Sequence, residues 1–253
     1  MQIHVMMQKK GGAAKSTCAA FLADYLREQR RQRCLSLDLD PGHSSFTKYR
    51  ALDVHRVQLM DRDKEVDPTG FDEVMEIIEG DHDQLDHMVI DTGSDGFSAM
   101  VNHLVSHDFL ERATDQGHHV LIHTTIIGGE ALVTTLECFE GLTESFPPPA
   151  GFVIWLSPHT GRVEGPGEEP FQSMKTYARL QQRIDAVIEV PLLGKSFNES
   201  LCRALAHSFT LSEATRTDLP AFKGDDKYRV SKFRKLLWAQ LDQVFPAPAL
   251  SAE

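Results

Sequence analysis

Long apolar segments are absent from this sequence. No stretch approaches the roughly 18 consecutive apolar residues that a membrane-spanning helix requires. Residues 1–20 place lysines and glycines directly after a short apolar run, and this is not the pattern of a secretory leader. We therefore expect neither a transmembrane helix nor a signal peptide.

Cysteines are few and isolated. The four cysteines stand at positions 18, 34, 138 and 202, and no two of them form a C-x-x-C pair. Structural zinc sites and disulfide frameworks depend on closely spaced cysteines, so both are disfavoured. Unpaired cysteines suit a reducing compartment, and we expect a cytoplasmic protein.

An excess of positive charge is also missing. The formal net charge is −11, with 26 Lys and Arg against 37 Asp and Glu. A chain this acidic does not coat nucleic acid indiscriminately, so any contact with DNA needs a local basic patch. Two patches qualify, one at the end of the first predicted helix (residues 27–33) and one near the C-terminus.

Histidines cluster around two predicted strands. His118, His119 and His123 lie in one strand and His87 in another, but they alternate between faces and have no acidic or cysteine partner at ligand spacing. A structural role is favoured over a metal site.

Residues 8–17 are the stretch with the clearest chemistry. They read Gln-Lys-Lys-Gly-Gly-Ala-Ala-Lys-Ser-Thr and join a strand-like run, residues 3–7, to a segment with helical spacing. Glycines let successive N–H groups point inward, and the start of a helix adds free N–H groups, so this context is typical of a phosphate-binding loop. Lys15 would reach the phosphates and the Ser16 hydroxyl would ligate Mg²⁺. The nucleotide-binding residues we predict are Gly11, Gly12, Ala13, Ala14, Lys15, Ser16 and Thr17.

Aspartates end two further predicted strands. Residues 34–40 read as a strand in which Asp38 and Asp40 project to the same face, before Pro41-Gly42. Residues 87–93 read as a buried parallel strand that ends in Asp91, as in a Walker B strand. Both carboxyl ends are where ligands bind in a doubly wound sheet.

Strands and helices alternate along the rest of the chain. Further strands are predicted at 55–60, 118–123, 151–156 and 186–190, and helices at 71–79, 99–110, 129–146, 171–184 and 228–245. This alternation predicts a single doubly wound α/β domain with a mostly parallel sheet. We assign residues 1–245 to that domain and residues 246–253 to a flexible tail.

The loop at 10–16 does not meet the strict pattern G-x-x-x-x-G-K-[ST]. It fits the variant K-G-G-x-x-K-[ST] and resembles the deviant phosphate loop of the ParA/MinD family of ATPases. Over roughly residues 1–245 the chain is similar to the TraL family of ParA-like proteins from conjugative plasmid transfer regions. That similarity extends over residues 37–41, 89–91, 122–124, 128–129 and 153–156.

The resemblance implies a P-loop NTPase fold, ATP and Mg²⁺ as cofactors, and a nucleotide-dependent homodimer. It implies that Lys10 and Lys15 act on phosphates, Lys10 in the partner's site, and that Asp40 positions the attacking water. The implied metal ligands are Ser16, Asp40 and Asp91. Relatives contact the adenine base around the position of Pro191.

The C-terminal helix gathers the second basic patch. Its first half carries Lys227, Arg229, Lys232, Arg234 and Lys235. A solvated helix face is the first interpretation. Contact with DNA phosphates is the second, and a membrane surface is the third because the apolar face is needed for packing.

These features predict an ATP-binding, slowly hydrolysing dimeric switch that positions DNA or transfer machinery in plasmid conjugation. The alternative is a scaffold of the transfer apparatus that keeps the fold and does not hydrolyse ATP. Ala14 separates the two, because relatives carry glycine there. A third class, small-molecule biosynthesis, stays open because relatives of this fold include metabolic and nitrogenase-type ATPases. The absence of cysteines spaced as iron–sulfur ligands disfavours the nitrogenase type.

Overall fold

A seven-stranded parallel sheet forms the centre of the protein. The computed structural model describes residues 1–59, 67–80, 84–95, 97–216 and 222–245. Its strands are β1 (Gln2–Met6), β2 (Cys34–Asp38), β3 (His55–Arg56), β4 (His87–Asp91), β5 (His119–Ile127), β6 (Gly151–Ser157), β7 (Glu164–Gly165), β8 (Glu169–Pro170) and β9 (Ile184–Glu189). The sheet order is β3-β2-β4-β1-β5-β6-β9, and every neighbouring pair is parallel. The strands β7 and β8 form a separate antiparallel pair.

Helices connect the strands and cover both faces of the sheet. They are α1 (Lys15–Glu28), α2 (Pro68–Glu79), α3 (Phe97–Ser106), α4 (Phe109–Asp115), α5 (Leu132–Ser145), α6 (Lys175–Leu180), α7 (Lys195–Ala206), α8 (Leu211–Arg216) and α9 (Gly224–Val244). None of these described helices combines the length and the apolar composition of a membrane span.

Two hydrophobic cores result from the alternation of side chains along each strand. On one face, Ile3 and Val5 of β1 pack with α2 to α6. On the other face, Met6 of β1 and Trp155 of β6 pack with α1, α7, α8 and α9. A parallel sheet buried on both faces needs apolar residues at nearly every strand position. The predicted doubly wound α/β fold is confirmed.

The order of the strands reverses at β1. From β1 the chain moves to β2 and β3 on one side, returns to β4 between β2 and β1, and continues through β5, β6 and β9 on the other side. Crevices at the carboxyl ends of strands open at such a switch point. The loop at 8–14, which follows β1, lies at this point.

Several predicted elements have different bounds. The predicted helix 99–110 is divided into α3 and α4, because Asp108 takes a left-handed φ of 53°. The predicted helix 171–184 consists of α6 between two short 3₁₀ turns, Phe171–Ser173 and Gln181–Arg183. Helices α7 and α8 were not predicted. The predicted strand 55–60 ends at Arg56 in the structure, and its last residue lies outside the described residues, as does the predicted tail 246–253.

Strand β9 forms one edge of the sheet, and a glutamine side chain covers part of that edge. The side-chain carbonyl of Gln240 accepts from the N–H of Glu189 at 2.7 Å, and its NH₂ donates to the Glu189 carbonyl at 2.7 Å. The amide of Gln240 thus occupies the place that the backbone of a further strand would take.

A chain of buried histidines crosses the sheet on the α9 side. Trp155 Nε1 lies 3.0 Å from His123 Nδ1, His123 Nε2 lies 3.0 Å from His4 Nδ1, and His4 Nε2 lies 3.0 Å from His87 Nδ1. An indole N–H can only donate, so His123 accepts on Nδ1 and carries its proton on Nε2. The same reasoning makes His4 and His87 Nε2–H tautomers. In this hydrogen-bonded row each imidazole lone pair already accepts a hydrogen bond, so protonation of any of the three rings would break a hydrogen bond.

The turn at Gly128 lies directly against the loop that follows β6. A Cβ on Gly128 would lie 2.1 Å from the carbonyl oxygen of Arg162 and 2.3 Å from that of Gly161. We expect Gly128→Ala to lower the free energy of unfolding by about 2 kcal/mol through overpacking. Gly141, inside α5, has no atom within 4 Å of the equivalent Cβ, and Gly141→Ala should raise stability by about 0.5–1 kcal/mol. Urea denaturation of both variants tests this, and equal losses would contradict it.

Candidate functional site

The loop between β1 and α1 has the curled backbone that was expected. Gly12 has φ 70° and Ala14 has φ 61°, both in the left-handed region. The buried side chain of Gln8 fixes the loop, since its NH₂ donates to the Thr125 carbonyl at 2.9 Å and its oxygen accepts from the N–H of Lys10 at 3.2 Å. The role of Gln8 was not predicted from the sequence, because a polar residue after a strand has no local signature.

Ala14 takes a conformation that suits glycine. It has φ 61° and ψ 18° directly before α1, where an alanine Cβ costs about 1 kcal/mol relative to glycine. We expect Ala14→Gly to raise the free energy of unfolding by roughly that amount, or to leave it unchanged if greater chain entropy offsets the gain. A lower free energy of unfolding in Ala14→Gly would contradict the inference that the backbone at Ala14 is strained. The measurement is urea denaturation, with calorimetric ATP titration alongside.

Lys15 begins α1 and is buried, with 8% of its surface exposed. Burial lowers the pKa of its ammonium, and the nearby carboxylates of Asp91 and Asp40 act in the opposite direction. An ammonium in such a position interacts strongly with anionic ligands because little water screens it.

Asp91 ends β4 beneath the loop and is fully buried. Neither of its carboxylate oxygens accepts a well-formed hydrogen bond from a described residue. Burial raises its pKa to about 7 and the charge of Asp38 adds to this, whereas the adjacent Ser16 hydroxyl and Lys15 lower it. A buried carboxylate without a donor beside a serine hydroxyl suits Mg²⁺, which prefers oxygen ligands and keeps several waters. Ser16 and Asp91 therefore fit the predicted metal ligands.

The two aspartates at the end of β2 differ in role. Asp38 accepts from the backbone N–H groups of Asp40, at 3.0 Å, and of Thr47, at 2.9 Å, and so holds the following loop. Asp40 lies in the turn and accepts through Oδ1 from the N–H groups of Gly42 and His43. Gly93 permits this arrangement, because a Cβ there would lie 2.7 Å from Asp40 Oδ1.

A cleft of about 480 Å³ lies over the loop. It brings together most predicted site residues: Gly12, Ala13, Ala14, Lys15, Ser16, Thr17 and Asp40. Its other end is lined by Ser157, His159, Val190, Leu201, Cys202 and Leu205. Sequence analysis missed this second group, although Phe197, Leu201 and Leu205 have the spacing of a helix face.

Four predicted residues do not line that cleft, and one of them, Asp91, is fully buried. Lys10 and Gly11 line a separate groove of about 560 Å³ between the loop, α3 and α5, and Lys10 is exposed. Pro191 lines a third cleft, beside α9, while its neighbour Val190 lines the loop cleft. The assignment of Pro191 to a nucleotide base stays a prediction.

Two arginines of α9 have partners within the molecule. Arg229 lies 3.8 Å from the carboxylates of both Asp225 and Asp226. Arg234 donates to the Thr215 hydroxyl at 2.7 Å and lies over the ring of Trp238. These contacts favour a packing role for much of the basic patch over contact with DNA.

Comparison with known proteins identifies relatives in sequence and in fold. No family model matches the chain. Two proteins from Escherichia coli, each named Protein TraL, are 33% identical over 246 residues and 32% identical over 249 residues, and each match covers 95% of this chain and 97% of the relative. The MinD cell division protein of Aquifex aeolicus has a TM-score of 0.51 at 13% identity and covers 94% of this chain and 98% of that one. A ParA family ATPase from Chlorobium tepidum has a TM-score of 0.50 at 11% identity, with 92% and 98% covered.

Proposed function

Because the chain belongs to the TraL family and has the fold of MinD and ParA proteins, we propose that it is an ATP-binding, slowly hydrolysing dimeric switch of plasmid conjugative transfer. The observation that carries this proposal is the buried carboxylate of Asp91, which accepts no well-formed hydrogen bond from the described residues and lies under a glycine loop beside Lys15 and Ser16. The proposal places the protein in the cytoplasm, next to DNA or transfer machinery.

Different residues of the site would bind the phosphates, the metal ion, the attacking water and the base. Backbone N–H groups of residues 11–16 and the Lys15 ammonium would bind the phosphates. Ser16 and Asp91 would hold Mg²⁺, with Asp40 close by, and a bound Mg²⁺ would offset charge on the phosphate oxygens. Asp40, fixed by two backbone N–H groups, would orient the attacking water. The apolar side chains of α7 would face the base.

Lys10 has a separate role in this proposal. Its side chain is exposed on the far side of the loop from the cleft, in the groove between α3 and α5. A second subunit facing this groove would receive the Lys10 ammonium at its own phosphates. A cation supplied in trans stabilises charge that develops on the transferred phosphoryl group. Hydrolysis would then wait for assembly, which accounts for slow turnover.

The test is the oligomeric state of the Asp40→Ala variant, which should bind ATP and hydrolyse it at least tenfold more slowly because a water-orienting group acts on the chemical step. With ATP and Mg²⁺ we expect it to sediment as a dimer. Adding Lys10→Ala should abolish the increase in sedimentation that ATP produces, and adding Lys9→Ala, the neighbouring exposed lysine, should not. A monomer at every concentration, or a dimer indifferent to Lys10→Ala, would refute the dimeric switch.

A further inference from the structure

An apolar groove with an acidic rim lies between α4 and the end of α5. We call it the acidic groove. It has a volume of about 420 Å³ and is lined by Leu104, Val105, Asp108, Phe109, Leu110, Glu111, Thr114, Asp115 and residues 145–149. Val105 is 45% exposed, and the three consecutive prolines 147–149 are exposed as well. The groove thus presents rigid apolar surface to solvent.

The charge on the rim has one sign. Glu111 and Asp115 are four residues apart and share one flank of α4, and Asp108 directly precedes that helix. No lysine or arginine lines the groove, and no ion pair within the described part of the chain involves these three carboxylates. Such a surface repels nucleic acids and anionic membranes and favours a cationic, partly apolar partner.

A surface of that chemistry occurs on the same protein. Tyr228, Lys232 and Lys235 follow the spacing of one exposed face of α9, and we call them the basic stripe. Tyr228 is 65% exposed. Lys232 Nζ lies 5.4 Å from the centre of the Phe197 ring, but its side chain is exposed, and neither Lys232 nor Lys235 takes part in an ion pair within the residues that the structure describes. An exposed aromatic ring flanked by lysines is an anchor of the kind that dominates binding energy at interfaces.

We propose that the basic stripe of one copy docks into the acidic groove of a second copy. Tyr228 would lie on Val105 and the prolines, and the two lysines would face Glu111 and Asp115. The groove lies on the face of the sheet that carries α2 to α6, and the stripe lies on the opposite face with α9. The contact is therefore heterologous and joins copies head to tail. It requires no nucleotide and goes beyond the proposed ATP-dependent dimer.

The first experiment is sedimentation velocity of Lys15→Ala without nucleotide, so that an ATP-driven dimer does not contribute. We expect concentration-dependent association at 50 mM salt that weakens at least about tenfold at 500 mM, because exposed charges are screened. Glu111→Ala with Asp115→Ala should weaken association by a similar factor, as should Tyr228→Ala with Lys232→Ala and Lys235→Ala. Glu144→Ala and Lys195→Ala, which remove exposed charges outside both surfaces, are the matched controls and should associate normally.

A mixing experiment distinguishes head-to-tail docking from other contacts. The groove variant keeps a functional stripe, and the stripe variant keeps a functional groove, so each alone should be monomeric while the two together form a 1:1 dimer that cannot grow. Circular dichroism shows whether each variant is folded. A monomeric parent at all concentrations would overturn the proposal. So would association that survives either set of substitutions, or a mixture that stays monomeric.

Discussion

Replacing Lys15 by alanine is expected to weaken ATP binding about a hundredfold. Lys15 is 8% exposed and lies near the carboxylates of Asp91 and Asp40. Truncating one member of a buried charge interaction costs roughly 3 kcal/mol, which corresponds to that factor in Kd. Removing the ammonium also leaves the phosphates facing two uncompensated carboxylates.

Calorimetric titration with ATP and Mg²⁺ measures the loss. Lys9→Ala is the matched control, because Lys9 is exposed and lines the neighbouring groove with Lys10, and its binding should change less than about threefold. Equal binding by Lys15→Ala and the unmodified protein would place the nucleotide elsewhere. ATP turnover measured against Lys15→Ala also separates the switch from the scaffold: binding that depends on Lys15 with no turnover above this background supports the scaffold.

Acid should destabilise this protein through its buried histidine chain. Burial lowers the pKa of His87 to about 4 and of His123 to about 3, and lowers the pKa of His4 well below its usual range. The folded state keeps these rings neutral, whereas the unfolded state protonates them below about pH 6.5. The contribution of these histidines to the free energy of unfolding is therefore fully present above that pH and is lost as pH falls from about 6.5 toward 4. Each ring contributes at most about 1.4 kcal/mol per pH unit in this window.

The slope of unfolding free energy against pH is the measurement, and His87→Asn is the variant. An asparagine oxygen can accept from His4 as His87 Nδ1 does, but it does not titrate. Between pH 6.5 and 4 the slope for the variant should be smaller than the slope for the parent by the contribution of about one proton. Asp91 acts in the opposite sense, since its raised pKa stabilises the folded state as pH falls, so only the difference between variant and parent is diagnostic. His207→Asn, at an exposed position, should leave the slope unchanged, and an unchanged slope in His87→Asn would contradict the role of the chain.

The loop end of the candidate site could be predicted from the sequence because its signals are local. Gly11 and Gly12, shortly before Lys15 and Ser16, define the loop within ten residues, and an apolar run ending in Asp91 defines a buried strand. Both depend on periodicity and turn chemistry, which act over short distances.

The opposite end was not accessible, because it depends on packing between distant segments. His159 follows β6 and Leu201 lies on α7, and only the tertiary fold brings them over the loop. The division of one predicted helix at Asp108 was also missed. Residues 99–110 contain no glycine or proline to mark a helix stop, although aspartate tolerates the left-handed backbone that Asp108 adopts. The histidine chain likewise joins strands that are far apart in sequence, so a spacing rule could identify neither its partners nor its tautomers.

The side-chain amide of Gln240 has a consequence for solubility. An uncovered edge strand offers unpaired N–H and C=O groups to any extended chain, and proteins whose edges stay open tend to aggregate. At Glu189 both groups are already bonded to Gln240, so a stray strand would have to displace an intramolecular partner to extend the sheet there. Removing that amide should therefore lower the fraction of protein that stays in solution at high concentration before it changes the result of any binding assay.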